Sequence, residues 1–271
     1  MKEQDIPVKI MGILNVTPDS FSDGGCFADL DTAVAQADQL IRDGADIIDV
    51  GGESTRPFAT PVAEEEELER VIPVIKAVRD RYPLIPLSID TTKAVVAQAA
   101  LTAGASIIND ISALRHDPKM IVVARECDVP LIIMHMQKTP ADMQIKPVYN
   151  NVVEDVISFL AERIAWLTEN GIKENRLIVD PGIGFGKTLE HNIDLLKNLG
   201  RLASLHVPIL LGHSRKRFLG DLTGINDEKE RDLATAVVAA LCINKNIAMV
   251  RVHDVSATRQ ALLLAQALRP E

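Results

Sequence analysis

Three hydrophobic runs end on a polar side chain that packing does not require: Ser88-Ile89-Asp90, Ile107-Ile108-Asn109 and Ile178-Val179-Asp180. A carboxylate at the end of a buried strand is costly to desolvate unless something pairs with it. A carboxylate, an amide and a second carboxylate in equivalent places therefore point to a flat ligand rich in N–H donors, which those oxygens accept.

Cations form a second set. Arg56, Lys216 and His253 follow the second, seventh and eighth of the apolar runs described below, and Arg251 stands near the end of the eighth. Arginine offers a planar fork to phosphate oxygens and lysine a point charge, while a helix start near Ser214 adds oriented N–H groups. The set suits an anionic leaving group. For any one of these cations the competing reading is a structural ion pair with Asp90 or Asp254.

Asp180 also opens the run Asp180-Pro181-Gly182-Ile183-Gly184-Phe185-Gly186-Lys187-Thr188. A phosphate loop needs glycine where Pro181 stands, and a dinucleotide fingerprint needs glycine where Lys187 stands. The run fits better as a glycine-rich turn that lets a ligand ring approach the backbone. The segment from Asn15 to Gly25 is long for a strand-to-helix connection and carries Phe21, which has no core role there. It reads as an active-site lid, with a self-satisfied surface turn as the alternative.

Positioning these residues requires a repeated strand-and-helix unit. Aliphatic runs recur at Val8 to Leu14, Asp46 to Val50, Leu84 to Ile89, Ser106 to Ile108, Val129 to Met134, Leu177 to Val179, Val207 to Leu211 and Ala248 to Val252. Between them, Val34, Ala37, Leu40 and Ile41, or Val152, Val156, Phe159, Leu160 and Ile164, keep the helical period. Asp31 and Thr92 are candidate helix caps, and Gly44, Gly104 and Gly171 candidate helix stops. Eight such units without a Pro/Gly/Ser-rich linker predict a single α/β domain over residues 1–271, a (β/α)8 TIM barrel with long loops after strands 1 and 2. In that fold the residue after each strand faces one mouth, so the polar tips and the cations converge.

Composition excludes other classes. The chain has 271 residues, and 38 acidic against 29 basic side chains give a net charge of −9, which argues against a broad nucleic-acid or anionic-lipid surface. No apolar stretch approaches the about 18 residues of a membrane span, and the first residues lack an export signal's apolar core, so a cytoplasmic setting is expected. Cys26, Cys127 and Cys242 are odd in number and widely spaced, which suits reduced packing thiols. Glu64 to Glu67 read as a solvated helix start, His191 and His206 as structural, and Trp166 as core.

The ordered motifs carry a further signal: Gly12-Ile13-Leu14-Asn15 with the loop to Gly25, Asp49-Val50-Gly51-Gly52-Glu53-Ser54-Thr55-Arg56-Pro57, Ser88-Ile89-Asp90-Thr91, Asn109-Asp110, His135-Met136-Gln137, Asp180 to Lys187, Gly212-His213-Ser214-Arg215-Lys216 and Arg251-Val252-His253-Asp254. In this order, over almost the whole chain, they resemble the dihydropteroate synthase family of pterin-binding barrels.

That resemblance implies a transferase that joins 6-hydroxymethyl-7,8-dihydropterin diphosphate to 4-aminobenzoate, releasing diphosphate. It implies that Asp90, Asn109 and Asp180 read the pterin edge, with Met134, Gly184 and Gly212 in the same substrate-binding set. Lys216, Arg251, His253 and Asp90 are the implied catalytic residues, and Asn15, Arg56 and His253 complete an anion pocket. Thr55, Pro57, Phe185 and Ser214 would frame the aminobenzoate site beneath the loops Asn15 to Gly25 and Glu53 to Ala63. Mg²⁺ is the implied cofactor, with Asn15 as its protein contact, and a homodimer the implied assembly.

The family's reaction is dissociative, which agrees with the lack of a Ser/His/Asp or Cys/His nucleophile arrangement. His213, between Gly212 and Ser214, is a place where local anion affinity would change. A pterin-dependent methyltransferase shares the Asp90, Asn109 and Asp180 array but has no use for the phosphate set. A pterin-binding barrel without turnover is the non-enzymatic alternative.

Overall fold

The structure is a computed structural model that describes residues 7–17, 26–56, 59–140 and 142–268, with side chains in its first helix from Leu30 onward. Eight parallel strands close into a barrel: β1 (Lys9–Asn15), β2 (Ile47–Gly51), β3 (Leu87–Asp90), β4 (Ile107–Asp110), β5 (Leu131–Met134), β6 (Leu177–Asp180), β7 (Ile209–Gly212) and β8 (Ile247–Val252). Closure runs through β1 and β8, where Lys9 to Gly12 register against Met249 to Val252. Helices α1 (Cys26–Arg42), α2 (Glu64–Arg81), α3 (Ala94–Ala103), α4 (Met120–Glu126), α5 (Val152–Glu169), α6 (Leu189–Lys197), α7 (Arg217–Thr223) and α8 (Asp232–Cys242) lie between the strands, and α9 (Val255–Ala267) follows β8. The expected barrel is the observed one.

Strands alternate their side chains between two faces, and here each face has its own apolar partner. Ile48, Val50, Leu87, Ile89, Ile108, Leu131, Ile133, Val179 and Leu211 point outward and pack with helix residues such as Val71, Ile75, Val96, Ala97 and Val156 in the main core. The inward set is a separate cluster of Met11, Ile47, Ile107, Ile132, Ile178, Leu210 and Met249, which fills the barrel. Ser88 holds the corresponding place on β3, buried and without a hydrogen-bond partner for its hydroxyl. This apolar plug is the floor beneath the site.

Helix ends follow local chemistry only in part. Gly104 closes α3 in the left-handed conformation, and Gly44 and Gly171 take positive φ just beyond α1 and α5. Two expected caps are corrected: Asp31 lies inside α1, and α3 begins at Ala94 rather than at a Thr92 cap. The N–H of Ala94 instead donates to Asp117 Oδ2, a cap supplied from the loop before α4.

Glu67, read as part of a solvated run, is fully buried and pairs with Lys93, while Glu64, Glu65 and Glu66 are exposed. Trp166 is not core either. It is 36% exposed, with the Arg163 guanidinium 4.2 Å from its ring centroid.

Candidate active site

The apolar plug ends abruptly. Two residues further along each strand, the inward positions of β2 to β8 are Asp49, Asp90, Asn109, Met134, Asp180, Gly212 and Arg251 in turn. Period-two alternation leaves no other place for them, so the strands that build the floor also raise a polar ring above it. On β1 that level is Ile13, with Asn15 one step higher at the strand end.

Arg251 is the hub of one side of the ring. Its Nε donates to Asp49 Oδ2 at 2.6 Å and its Nη2 to Asp90 Oδ2 at 2.7 Å. Asn109 Nδ2 also approaches Asp49, at 3.3 and 3.4 Å from the two oxygens. The structural ion pair weighed for these cations is therefore real for Arg251 and Asp90, and it includes Asp49. Burial pushes the Asp90 carboxyl up, and the neighbouring Asp49, Glu67 and Asp110 push the same way against Arg251. The two carboxylates beside Arg251 raise its own pKa despite burial.

Asp180, opposite, accepts the Gly182 N–H at 2.7 Å through Oδ1. Burial raises its pKa, while Lys216, that N–H, Lys187 and Arg251 oppose the rise. Gly212 is small for a reason, because a Cβ there would lie 3.0 Å from Asp180 Oδ2. Lys216 Nζ donates to Gly212 O at 2.6 Å and to Ile183 O, and lies 4.4 Å from the centroid of the Phe185 ring. Burial, aided by Arg251 and opposed by Asp180 and Asp90, lowers the Lys216 pKa to about 8.

Ser214 and His253 bind each other. The Ser214 hydroxyl lies 2.8 Å from His253 Nδ1, and its oxygen accepts the His253 N–H at 3.1 Å. Burial, then the charges of Arg215, Arg251, Arg56 and Lys216, drive the His253 pKa down to about 3, so the ring is neutral.

Phe185 packs with Ile111, Met134, Met136 and Met143 in a small apolar cluster. Gly184, at φ +82°, leaves room for Lys216, whose Cδ would be 2.8 Å from an added Cβ. Asp90, Asn109, Met134, Asp180, Gly184, Phe185, Gly212, Ser214, Lys216, Arg251 and His253 thus gather at one mouth.

Arg56 stands apart, because its mostly exposed side chain pairs with Glu228, although its charge reaches His253. Thr55 is half-buried in the same loop. Pro57, Phe21 and most of the expected first lid lie outside the described residues. The second loop is tied at its base, since Glu53 accepts both the Val62 N–H and the Lys93 ammonium. His213 does not face the anions: fully buried, it donates from Nε2 to Thr235 O on α8.

Two residues of this region escape a sequence reading. Asp49 had a visible signal, since Ile47-Ile48-Asp49 has the same form as Ile107-Ile108-Asn109. Lys187 had none beyond its place in the glycine-rich run.

Among the described residues no group of three His, Cys, Asp or Glu side chains is placed to hold a metal ion. The donors that exist are hard oxygens. Asn15, at the end of β1, offers an amide oxygen, a hard donor of the kind a magnesium ion takes alongside ligand oxygens and water.

A sequence model described as pterin binding enzyme matches residues 11–253. The chain belongs to the pterin-binding enzyme family. The Streptococcus pyogenes dihydropteroate synthase is 46% identical over 260 residues, covering 96% of this chain and 95% of the relative. Of solved structures, the Xanthomonas albilineans dihydropteroate synthase with 4-aminobenzoic acid superposes with a TM-score of 0.89 at 46% identity, covering 96% of this chain and 93% of the other. The same enzyme in complex with 7,8-dihydropteroate gives a TM-score of 0.88 at 43% identity, with 97% and 95% covered. These members of the family share both the barrel and nearly the full length of the chain.

Proposed function

We propose that this chain is a dihydropteroate synthase, which transfers the pterinylmethyl group of 6-hydroxymethyl-7,8-dihydropterin diphosphate to 4-aminobenzoate. The observation that carries the reading is the ring of Asp90, Asn109 and Asp180 above an apolar floor, with Lys216 and Arg251 beside it. An aminopyrimidinone edge presents N–H donors, and Asp180, Asn109 and Asp90 are the acceptors for it.

The reaction breaks the bond between the pterin methylene carbon and the diphosphate oxygen, and the electron pair leaves with diphosphate. The aniline nitrogen then forms the new C–N bond and loses a proton. No side chain is needed as nucleophile; the protein's contribution is charge and position. Arg251, His253 and Arg56 stabilise the departing negative charge, and Lys216 bridges pterin and aminobenzoate. Phe185, Thr55 and Ser214 frame the incoming aniline, and a mouth from which water is excluded protects the methylene cation. Mg²⁺, when bound near Asn15, supplies further positive charge to the diphosphate oxygens.

The protein works as a homodimer in this reading. Leu233, Val237 and Leu241 recur every fourth residue on α8 and are exposed, and Leu264 and Leu268 at the end of the packed helix α9 are exposed as well. Such an apolar stripe suits a second copy of the chain. A cytoplasmic setting agrees with free thiols at Cys127 and Cys242, and no helix among the described residues is long and apolar enough to cross a membrane.

Purified protein mixed with Mg²⁺ and both substrates tests the reaction. Diphosphate released only when 4-aminobenzoate is present supports it. Tight pterin binding without turnover would reduce the chain to a binding module.

A further inference from the structure

All five consecutive carbonyls from Gly182 to Gly186 accept a hydrogen bond from a side chain. Lys187 Nζ donates to Gly182 O at 2.8 Å and to Phe185 O at 3.0 Å. Lys216 donates to Ile183 O, Gln144 Nε2 to Gly184 O at 2.6 Å, and the Tyr149 hydroxyl to Gly186 O at 2.8 Å. A turn of this kind normally leaves several carbonyls to water. Here each is fixed by a named donor, and two of the donors are ammonium groups on different segments.

Lys187 is the unexpected member. It is buried, and among the described residues its close partners are carbonyl oxygens and a histidine ring rather than a carboxylate. Its third partner is His135 Nδ1 at 3.0 Å, on a ring packed against Tyr149 and Phe159. Burial, reinforced by the Lys216 charge, pulls its pKa well below the lysine range, and burial likewise drives His135 down to about 2, so His135 is a neutral acceptor. An ammonium is expensive to desolvate, and a backbone turn that needed only a plug would be served by an apolar side chain. The ammonium's contacts go to the turn itself, not to the mouth.

We propose that Lys187 is a positioning residue: it locks the Gly182–Gly186 turn so that the Phe185 ring and the Lys216 ammonium, which contacts the same turn, are held against the incoming aniline. The inference rests on the aminobenzoate reading given above. It assigns the glycine-rich run a role that phosphate binding did not fill, since the lysine that imitates a phosphate loop turns inward to the carbonyls of its own turn.

The test compares Lys187→Met and Gln144→Ala with the wild-type protein in three measurements. Steady-state kinetics with Mg²⁺ should give a KM for 4-aminobenzoate raised about tenfold or more in Lys187→Met, as expected for a misplaced binding wall. Calorimetric pterin affinity should fall by less, within about threefold, because Asp180 loses the Lys187 charge but keeps Lys216 and Arg251 beside it. The third measurement is fluorine NMR on protein labelled with 4-fluorophenylalanine. The chain has six Phe residues, and Phe185→Leu identifies the Phe185 line, which should shift or broaden in Lys187→Met. Gln144→Ala, at a half-buried position in the turn between β5 and α5, should move the same line and KM in the same direction by less.

An unmoved Phe185 line overturns the inference, as does an equal loss of affinity for both substrates with a lowered melting temperature. The fluorine line reports on Phe185 whether or not the wild type condenses the two substrates. Failure of the functional reading is therefore distinguishable from failure of this one.

Discussion

Arg251 on β8 and Asp49 on β2 face each other across β1, with Nε and Oδ2 2.6 Å apart. Asp49 has no exposed surface, and it takes both this guanidinium and the Asn109 amide. The pair orients two side chains that face the pterin in the proposed reaction, and it leaves Nη2 of Arg251 for Asp90. Without Asp49 the ring loses the carboxylate that holds its hub.

Asp49→Ala is expected to destabilise the fold by about 1–3 kcal/mol, because the Arg251 Nε and the Asn109 amide lose a buried charged acceptor while Asp90 still pairs with the guanidinium. Lys173→Ala provides the contrast. Its pair with Asp128 is exposed on both sides, and its loss should cost at most about 1 kcal/mol. Chemical denaturation measures both, and a cost below that of Lys173→Ala would show that Asp49 is not structural to the ring.

Asp180→Ala should weaken pterin binding by about 2–5 kcal/mol, since ligand N–H donors would be buried without a charged acceptor. Isothermal calorimetry with the pterin alone gives the value. An unchanged affinity would remove Asp180 from the pocket.

The polar ring was legible because strand alternation is rigid: once Ile107 and Ile178 face inward, Asn109 and Asp180 must as well. The eight-unit count and the glycine stops were legible for the same local reason. Long-range partners were not. Nothing within Glu64 to Glu67 announces that Glu67 meets Lys93, 26 residues on. Asp31 resembled a cap because its chemistry fits one, yet α1 already starts at Cys26. Trp166 was misread from its place in an amphipathic helix, since the buried stripe of α5 runs through Val156, Leu160, Ile164 and Leu167 and passes it by. Lys187 carried a charge that sequence logic assigns to solvent or phosphate, and only the folded turn reveals its carbonyl partners.

Ile132→Ala tests whether the site depends on its floor. Ile132 is fully buried in the inward cluster, directly below Met134 on β5, and its truncation should cost about 2–5 kcal/mol of stability. Leu84→Ala, at a residue 94% exposed, should stay within about 0.5 kcal/mol. Thermal melts compare the two, and equal melting temperatures would contradict a packed barrel interior.

Lys216 sets an alkaline limit. Its pKa in the folded protein is near 8, below the ordinary 10.5, chiefly because burial disfavours the charge. The ammonium is therefore present below about 8 and lost above it. If the ammonium is required, kcat/KM should fall about tenfold per pH unit above that value. Folding stability should move the other way: between about 8 and 10.5 the unfolded chain holds the proton that the folded one has released, so this residue's unfavourable contribution fades as pH rises. Lys216→Arg keeps a charge that does not titrate in this range, so its profile should stay flat past 8, at a lower absolute rate because the guanidinium does not fit between Gly212 O and Ile183 O in the same way. Rate profiles and denaturation midpoints between pH 7 and about 10 decide it. A wild-type rate that rises through that interval would remove the charged Lys216 from the mechanism.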